Sequence, residues 1–235
     1  MIFKRAPLIA YFSILPILLA LGLWQLNRAE EKRVAIRLQE QRQSTNAFVL
    51  TASTLDELEA LLYKPIQAFG HFDVSHQYLL DNQINNGKAG YFVLTPFFLK
   101  DANKAVLVNR GWIPLGNNRA DLPDTNGIDK GEISLTGRVN RFQNVGIKLA
   151  GAEIPSQGWP SVVQVVDVNA LGKRLGYPLF SFQVELDKNA KDGYVRDWHE
   201  ALVMTPEKHV GYAVQWFLLA LTLTVLFVKY GIKKS

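Results

Sequence analysis

The sequence predicts a membrane α+β protein. Two transmembrane helices flank one extracytoplasmic domain dominated by antiparallel β-strands, in a sheet or barrel, with a few short helices. Three observations predict it. A long uncharged apolar run stands near each end of the 235 residues, the stretch between them reads as strands separated by turns, and the basic residues that make up the charge excess lie outside the two runs.

The first run extends from Ala6 to Leu26 and the second from about Val210 to Val228. Each has roughly 20 residues, which at about 1.5 Å per residue matches a hydrocarbon core of ~30 Å. Backbone groups in lipid find partners only within their own segment, so both runs are expected as helices. The first run exceeds the apolar core of a signal peptide, and bulky residues (ALGLWQLNR) stand where a small-residue cleavage site belongs, so it reads as an uncleaved anchor. The expected division is residues 1–27 for the N-terminal end and first span, 28–205 for the exterior domain, 206–228 for the second span, and 229–235 for a tail.

The formal charge is +5. Lys4, Arg5, Lys229, Lys233 and Lys234 account for all of it, since the remaining 21 basic residues balance the 21 acidic ones. By the positive-inside rule both termini are expected in the cytoplasm or matrix and the long loop outside. A loop without net basic charge argues against a nucleic-acid partner. With no cysteine in the chain, disulfides, thiolate metal sites and cysteine nucleophiles are excluded.

Ala29 to Gln43 (AEEKRVAIRLQEQRQ) is rich in helix formers and should continue the first helix outward over 28–43 until Ser44-Thr45-Asn46 breaks it. TLDELEALLY suggests a short helix capped by Thr54, with Glu57 completing a capping box and Leu55, Leu58, Leu61 and Leu62 on one face. After Pro65 the pattern turns to strands: IQAFGHFDV, YLLDNQ, GYFVLTPFFL, AVLVNRGWIPL, ISLTGRV and SFQVEL. Hairpin turns are expected at Asn85-Asn86-Gly87 and at Asp101 to Lys104. VDVNALGKRLG reads as one more helix, capped by Asp167 or Asn169 and stopped by Gly176. The Asn-, Asp-, Pro- and Gly-rich stretch from Leu115 to Gly131 is expected to be mobile. Thr205-Pro206 opens the second span, with proline tolerated in its first turn.

No nucleophile elbow, zinc-binding HExxH, phosphate loop or dinucleotide fingerprint occurs, so no catalytic residue is assigned and the chain is expected not to be an enzyme. NNGKAGY reads as a turn. His71 and His76 would face opposite ways on a strand, which disfavours a joint metal site, and His199 reads as a polar residue near the membrane surface. VNRGWIP brings Arg110, Gly111 and Trp112 to a strand end. There Arg110 either clamps a ligand carboxylate with Trp112 stacked on a flat ligand, or the strand end is structural, with a buried Arg–carboxylate pair and a core tryptophan.

The two exterior membrane mouths share a composition. The first is GLWQLNR, with Trp24, Gln25 and Arg28; the second is HVGYAVQW. At 100° per residue His209, Tyr212, Ala213, Trp216 and Ala220 form one stripe, with Gln215 to its side. Ala20, Gly22, Gly211, Ala213 and Ala220 are small enough to let helices approach, and Pro16 is expected to kink the first. The first turn of a helix disfavours a cationic imidazole at His209, as does partial burial near lipid. A neutral imidazole facing an apolar groove is the form that binds haem iron. Tyr, Trp and His also populate membrane interfaces with no ligand at all.

LGLWQLNR, GHFD, GYFVLTPF, VLVNRGWIP, LTGRV and PEKHVGYAVQWFLLA, in this order between two spans, resemble the Surfeit locus protein 1 family of cytochrome c oxidase assembly factors. The resemblance implies a non-enzymatic role in handling haem a for insertion into oxidase subunit I, with subunit I and haem a synthase as partners. It implies His209 as the axial ligand of the haem iron, the family's one ligand role. Around it the expected cofactor site gathers Tyr212, Trp216, Trp24, Arg28, Arg110 and Trp112, all matching family motifs. The short MIFKRAP ahead of the first span points to a bacterial inner membrane, with the main domain in the periplasm. The competing expectation is a cofactor-free scaffold that stabilises an oxidase intermediate through its periplasmic domain. A sensor is disfavoured by KYGIKKS, too short a tail for an output domain.

Overall fold

The structure, a computed structural model, describes residues 5–54, 57–116, 118–119, 121–128, 130–143, 150–198 and 204–231. Lys4, Leu55, His199, Lys233 and Lys234, invoked above, lie outside them. In chain order the elements are α1 (Arg5–Gln43), β1 (Phe48–Leu50), α2 (Leu58–Leu61), β2 (Pro65–Phe72), β3 (Tyr78–Asn85), β4 (Lys88–Leu99), β5 (Ala105–Pro114), β6 (Ile133–Asn140), β7 (Ser161–Val163), α3 (Val168–Leu175), β8 (Leu179–Leu186) and α4 (Pro206–Tyr230). They form two compact units, Met1–Glu40 with Glu200–Ser235, and Gln41–His199.

In the first unit α1 and α4 are both long and apolar enough to cross a membrane. α1 continues past its apolar run to Gln43, as its composition predicts, with Pro16 inside it. α4 starts where Thr205 caps it, its hydroxyl accepting from the Lys208 amide at 3.4 Å, and Pro206 occupies the first turn.

The second unit is a closed barrel. β2, β6, β8, β5 and β4 pair in that order, and β4 returns to β2 through Gly70↔Leu99, His71↔Phe98 and Phe72↔Phe97. Closure is possible because β4 is 12 residues long and divides one edge, giving Lys88–Leu94 to β3 and Phe97–Leu99 to β2. Antiparallel pairings predominate, as expected, but β1–β2, β3–β7 and β5–β8 are parallel. Inward residues alternate along each strand, Ile66 with Ala68, Val106 with Val108, and Phe180, Phe182 and Val184, so side chains fill the barrel. On the outside, Leu171 of α3 packs with Tyr78, Leu94 and Leu107. Asp167 caps α3 by accepting from the amides of Asn169 (3.0 Å) and Ala170 (3.1 Å), and left-handed Gly176 stops it.

Both expected hairpins form, through Asn86-Gly87 between β3 and β4 and through 100–104 between β4 and β5. Two expectations need correction, and two strands went unread. α2 is a single turn whose N-cap is Glu57, without a side-chain bond; the Thr54 hydroxyl accepts from the Thr51 amide instead, so no capping box forms. β1 and β7, three residues each, are too short to read from alternation. The stretch 115–131 is anchored in its described part: the Thr125 carbonyl accepts from Gln77 Nε2 at 3.2 Å, and Ile128 joins the barrel interior.

Candidate functional site

The inward face of α1 carries Tyr11, Leu15, Leu18, Gly22, Gln25 and Ala29, spaced alternately four and three residues apart. α4 answers with Pro206, His209, Ala213, Trp216, Ala220 and Phe227 at similar spacing. This is the repeat by which two helices keep one seam in register. The helices run antiparallel, since Gln25 meets His209 while Tyr11 meets Thr224 (3.3 Å between hydroxyls) and stacks on Phe227 at 4.3 Å. Small residues permit the approach. A Cβ on Gly22 would come within 2.6 Å of the Phe217 ring, whereas one on Gly211 meets nothing within 4 Å. Gly22, Ala213 and Ala220 therefore belong to the seam, and Gly211 and Ala20, both exposed, do not.

At the N-terminal end of α4 the seam is polar. His209 Nδ1 lies 2.7 Å from Gln25 Oε1, with His209 7% and Gln25 8% exposed. An amide oxygen has no hydrogen to give, so Nδ1 carries the proton and donates it. A neutral imidazole then keeps its lone pair on Nε2. Such a bond between membrane helices contributes about 0.6 kcal/mol on average and up to about 2, enough to orient a ring but modest beside the apolar packing.

The sequence-predicted residues divide in two. Around the clasp, Trp216 is half-buried, whereas Tyr212 (45% exposed) and Trp24 (48%) stand on the flanks. Arg28 lies 5.7 Å from the Trp24 ring centroid, and Glu31 neutralises it at 2.7 Å. Gln215 is exposed. Gln25, placed by the sequence at the mouth of the first span but not in the expected cofactor site, is the direct partner of His209.

Arg110 and Trp112 belong to the barrel unit. Arg110, 2% exposed, is held by several partners: Nε donates to the Asp192 carbonyl at 2.7 Å, Nη1 to Gln77 Oε1 at 3.2 Å, and the guanidinium lies 5.0 Å from the Tyr194 ring. Burial pulls its pKa down from the usual guanidinium value, opposed by Tyr194 and Asp192. Trp112 Nε1 donates to the Gln83 carbonyl at 2.9 Å. Between them Gly111 sits at φ +116°, and a Cβ there would lie 2.7 Å from the Val195 carbonyl. Only glycine lets 192–198 lie this close, where Trp112 and Val195 exchange backbone bonds at 2.7 and 3.1 Å. The Arg-Gly-Trp motif thus latches that segment, and the partners of Arg110 are backbone carbonyls and an amide oxygen where the structural expectation had a carboxylate.

His71 stacks on Phe98 at 5.4 Å, while His76 Nδ1 bonds Asp73 Oδ2 at 2.6 Å. The two serve different neighbours, and among the described residues no group of three or more His, Asp or Glu side chains could hold a metal ion. A groove of about 720 Å³ runs past β1, lined by Val49, Phe69 and Ile133 together with Lys100, Asp101 and Glu132.

Fold and site define a class: a packed β-barrel unit, and a unit of two apolar helices from either side of it in sequence whose seam holds one buried histidine. The SURF1 family model matches residues 12–221, and the chain belongs to the SURF1 family. It is 27% identical over 232 residues to Surfeit locus protein 1 of Xenopus tropicalis, covering 92% of this chain and 72% of that one. It is 26% identical over 231 residues to a SURF1-like protein of Rickettsia felis (91% and 92%). A 111-residue match at 32% identity, 47% of this chain and 28% of the relative, joins it to the cytochrome oxidase assembly protein SHY1 of Saccharomyces cerevisiae.

Proposed function

We infer that this chain is a non-enzymatic assembly factor for cytochrome c oxidase, held in a bacterial inner membrane with its barrel in the periplasm, that handles haem a on the way to subunit I. Family membership and the name of the yeast relative support the oxidase assignment. The observation that carries the haem reading is the Gln25–His209 bond, which commits Nδ1 and leaves Nε2 as the nitrogen with a lone pair. That donor chemistry fits a haem. His209 would hold the iron, with Trp216, Tyr212 and Trp24 as nearby aromatic surface and Arg28, paired with Glu31, at the same mouth. Haem a supplies an iron that accepts an imidazole nitrogen and a greasy macrocycle suited to a site open to lipid. One neutral histidine is a weaker hold than two, as a cargo due for release requires. Arg110 and Trp112 take no part in this reading, because the fold already uses their donors.

The burial of His209 and Gln25 favours a second reading, in which the pair is a helix clasp and the barrel grips an oxidase intermediate without cofactor. The test is capture of subunit I by crosslinking in native-host cells with and without haem a synthesis. A haem carrier captures subunit I only when haem a is made, and equal capture in both cells supports the scaffold. If deleting the gene leaves the cells' oxidase haem a unchanged, both readings fall.

A further inference from the structure

We propose that Gln25 is the positioning residue of the His209 site, holding the imidazole as its Nδ1–H tautomer so that Nε2 is the nitrogen presented to a haem iron. The inference rests on the reading of His209 as axial ligand and adds the group that makes this imidazole competent for it.

Three observations carry it. The bond is short, 2.7 Å, and joins residues 184 apart in sequence, so helix packing sets it rather than chain proximity. Both partners are buried, so little water competes for Nδ1. Gln25 is flanked along its stripe by buried Gly22 and Ala29, and the Phe217 ring rests against Gly22, a close seam that holds the amide in place.

Histidines that ligate metals generally donate their second N–H to such a partner, which fixes ring orientation and tautomer. The chemical type of the partner sets the strength of the ligand. A carboxylate draws the Nδ1 proton strongly and makes Nε2 a better electron donor. A neutral amide oxygen draws it less, which leaves the iron–nitrogen bond weaker and the ferrous form relatively favoured. Glutamine therefore orients the histidine without tightening its grip, the combination a transfer protein needs.

The experiment titrates the full chain in detergent with isolated ferric haem a, comparing wild type, Gln25→Ala, Gln25→Glu and His209→Ala. It reads affinity from the Soret band and the reduction potential of the bound haem. Loss of an outer partner typically costs about 10- to 100-fold in metal affinity, and that weakening is expected for Gln25→Ala. Gln25→Glu should bind at least as tightly as wild type, with its potential shifted negative. If both Gln25 variants match wild type, or both bind more weakly at unchanged potential, Gln25 is only a helix clasp and the proposal is overturned. If His209→Ala binds as tightly as wild type, the ligand reading beneath it fails, whatever Gln25 does.

Discussion

Replacing Arg110 with methionine separates a latch from a ligand clamp. Methionine approximates the length of the side chain but leaves the Asp192 carbonyl without its donor (2.7 Å), while Gln77 Oε1 (3.2 Å) and the Thr125 carbonyl (3.4 Å) each lose one of two donors, keeping Thr95 Oγ1 and Gln77 Nε2. An unpaired buried acceptor costs about 1–3 kcal/mol and each of the other two lost bonds about 0.5–1.5 kcal/mol, which together place the gross loss at about 2–6 kcal/mol. The loss of the Tyr194 contact adds to it, and relief from burying the guanidinium, the burden that lowers its pKa, subtracts. The expected net destabilisation is about 3 kcal/mol. With a urea slope of about 2 kcal/mol per molar, the midpoint of barrel unfolding should fall by about 1.5 M. Tryptophan fluorescence of the full chain in detergent reads this, since Trp112 and Trp198 are both bonded within the barrel unit. A midpoint within about 0.2 M of wild type, together with loss of bound haem a, would refute the latch and restore Arg110 as a ligand clamp.

Gly111→Ala should cost about 1–3 kcal/mol, the usual price of a side chain at such a backbone angle, and should speed trypsin cleavage at Lys191 and Arg196, whose segment the latch holds. Burial pushes Tyr78 up to about 12, and burial with the Asp73 carboxylate raises Tyr177 further. Both stand above the ordinary tyrosine value of about 10. The stability these protonated phenols contribute is therefore whole below pH ~10 and lost as pH rises through their folded values; alkaline unfolding should coincide with the late part of the phenolate absorbance titration, and Tyr177→Phe should reduce that loss. Because the chain has no cysteine, Ile84→Cys (Ile84 is 76% exposed) and Lys229→Cys report topology cleanly. An impermeant maleimide added to spheroplasts should label the first, and the second only after permeabilisation; the reverse pattern would place the barrel in the cytoplasm.

The two helices were legible because a 20-residue uncharged run has few physical outcomes. Strand cores, hairpins and the α3 cap were legible because alternation, Asn-Gly and Asp167 act locally. Closure of the barrel was not, since it depends on which edge of β4 receives β2, a choice made by packing between distant segments. The site was half-legible for the same reason. His209 stood out by its position at the end of an apolar run and Gln25 by its place at the other mouth, but their pairing became visible only when the four-three seam of α1 was set against that of α4. The Arg110–Trp112 motif was conspicuous as a composition, yet its meaning depended on residues 192–198, which nothing near Gly111 in sequence announces.

The most direct test of the account is the absorption spectrum of the full chain purified from cells that make haem a, with His209→Ala prepared alongside. A haem a spectrum is expected in the wild type and its loss in the variant, with equal amounts of both proteins in the membrane. A wild type without haem a, or a variant that retains it undiminished, would contradict it.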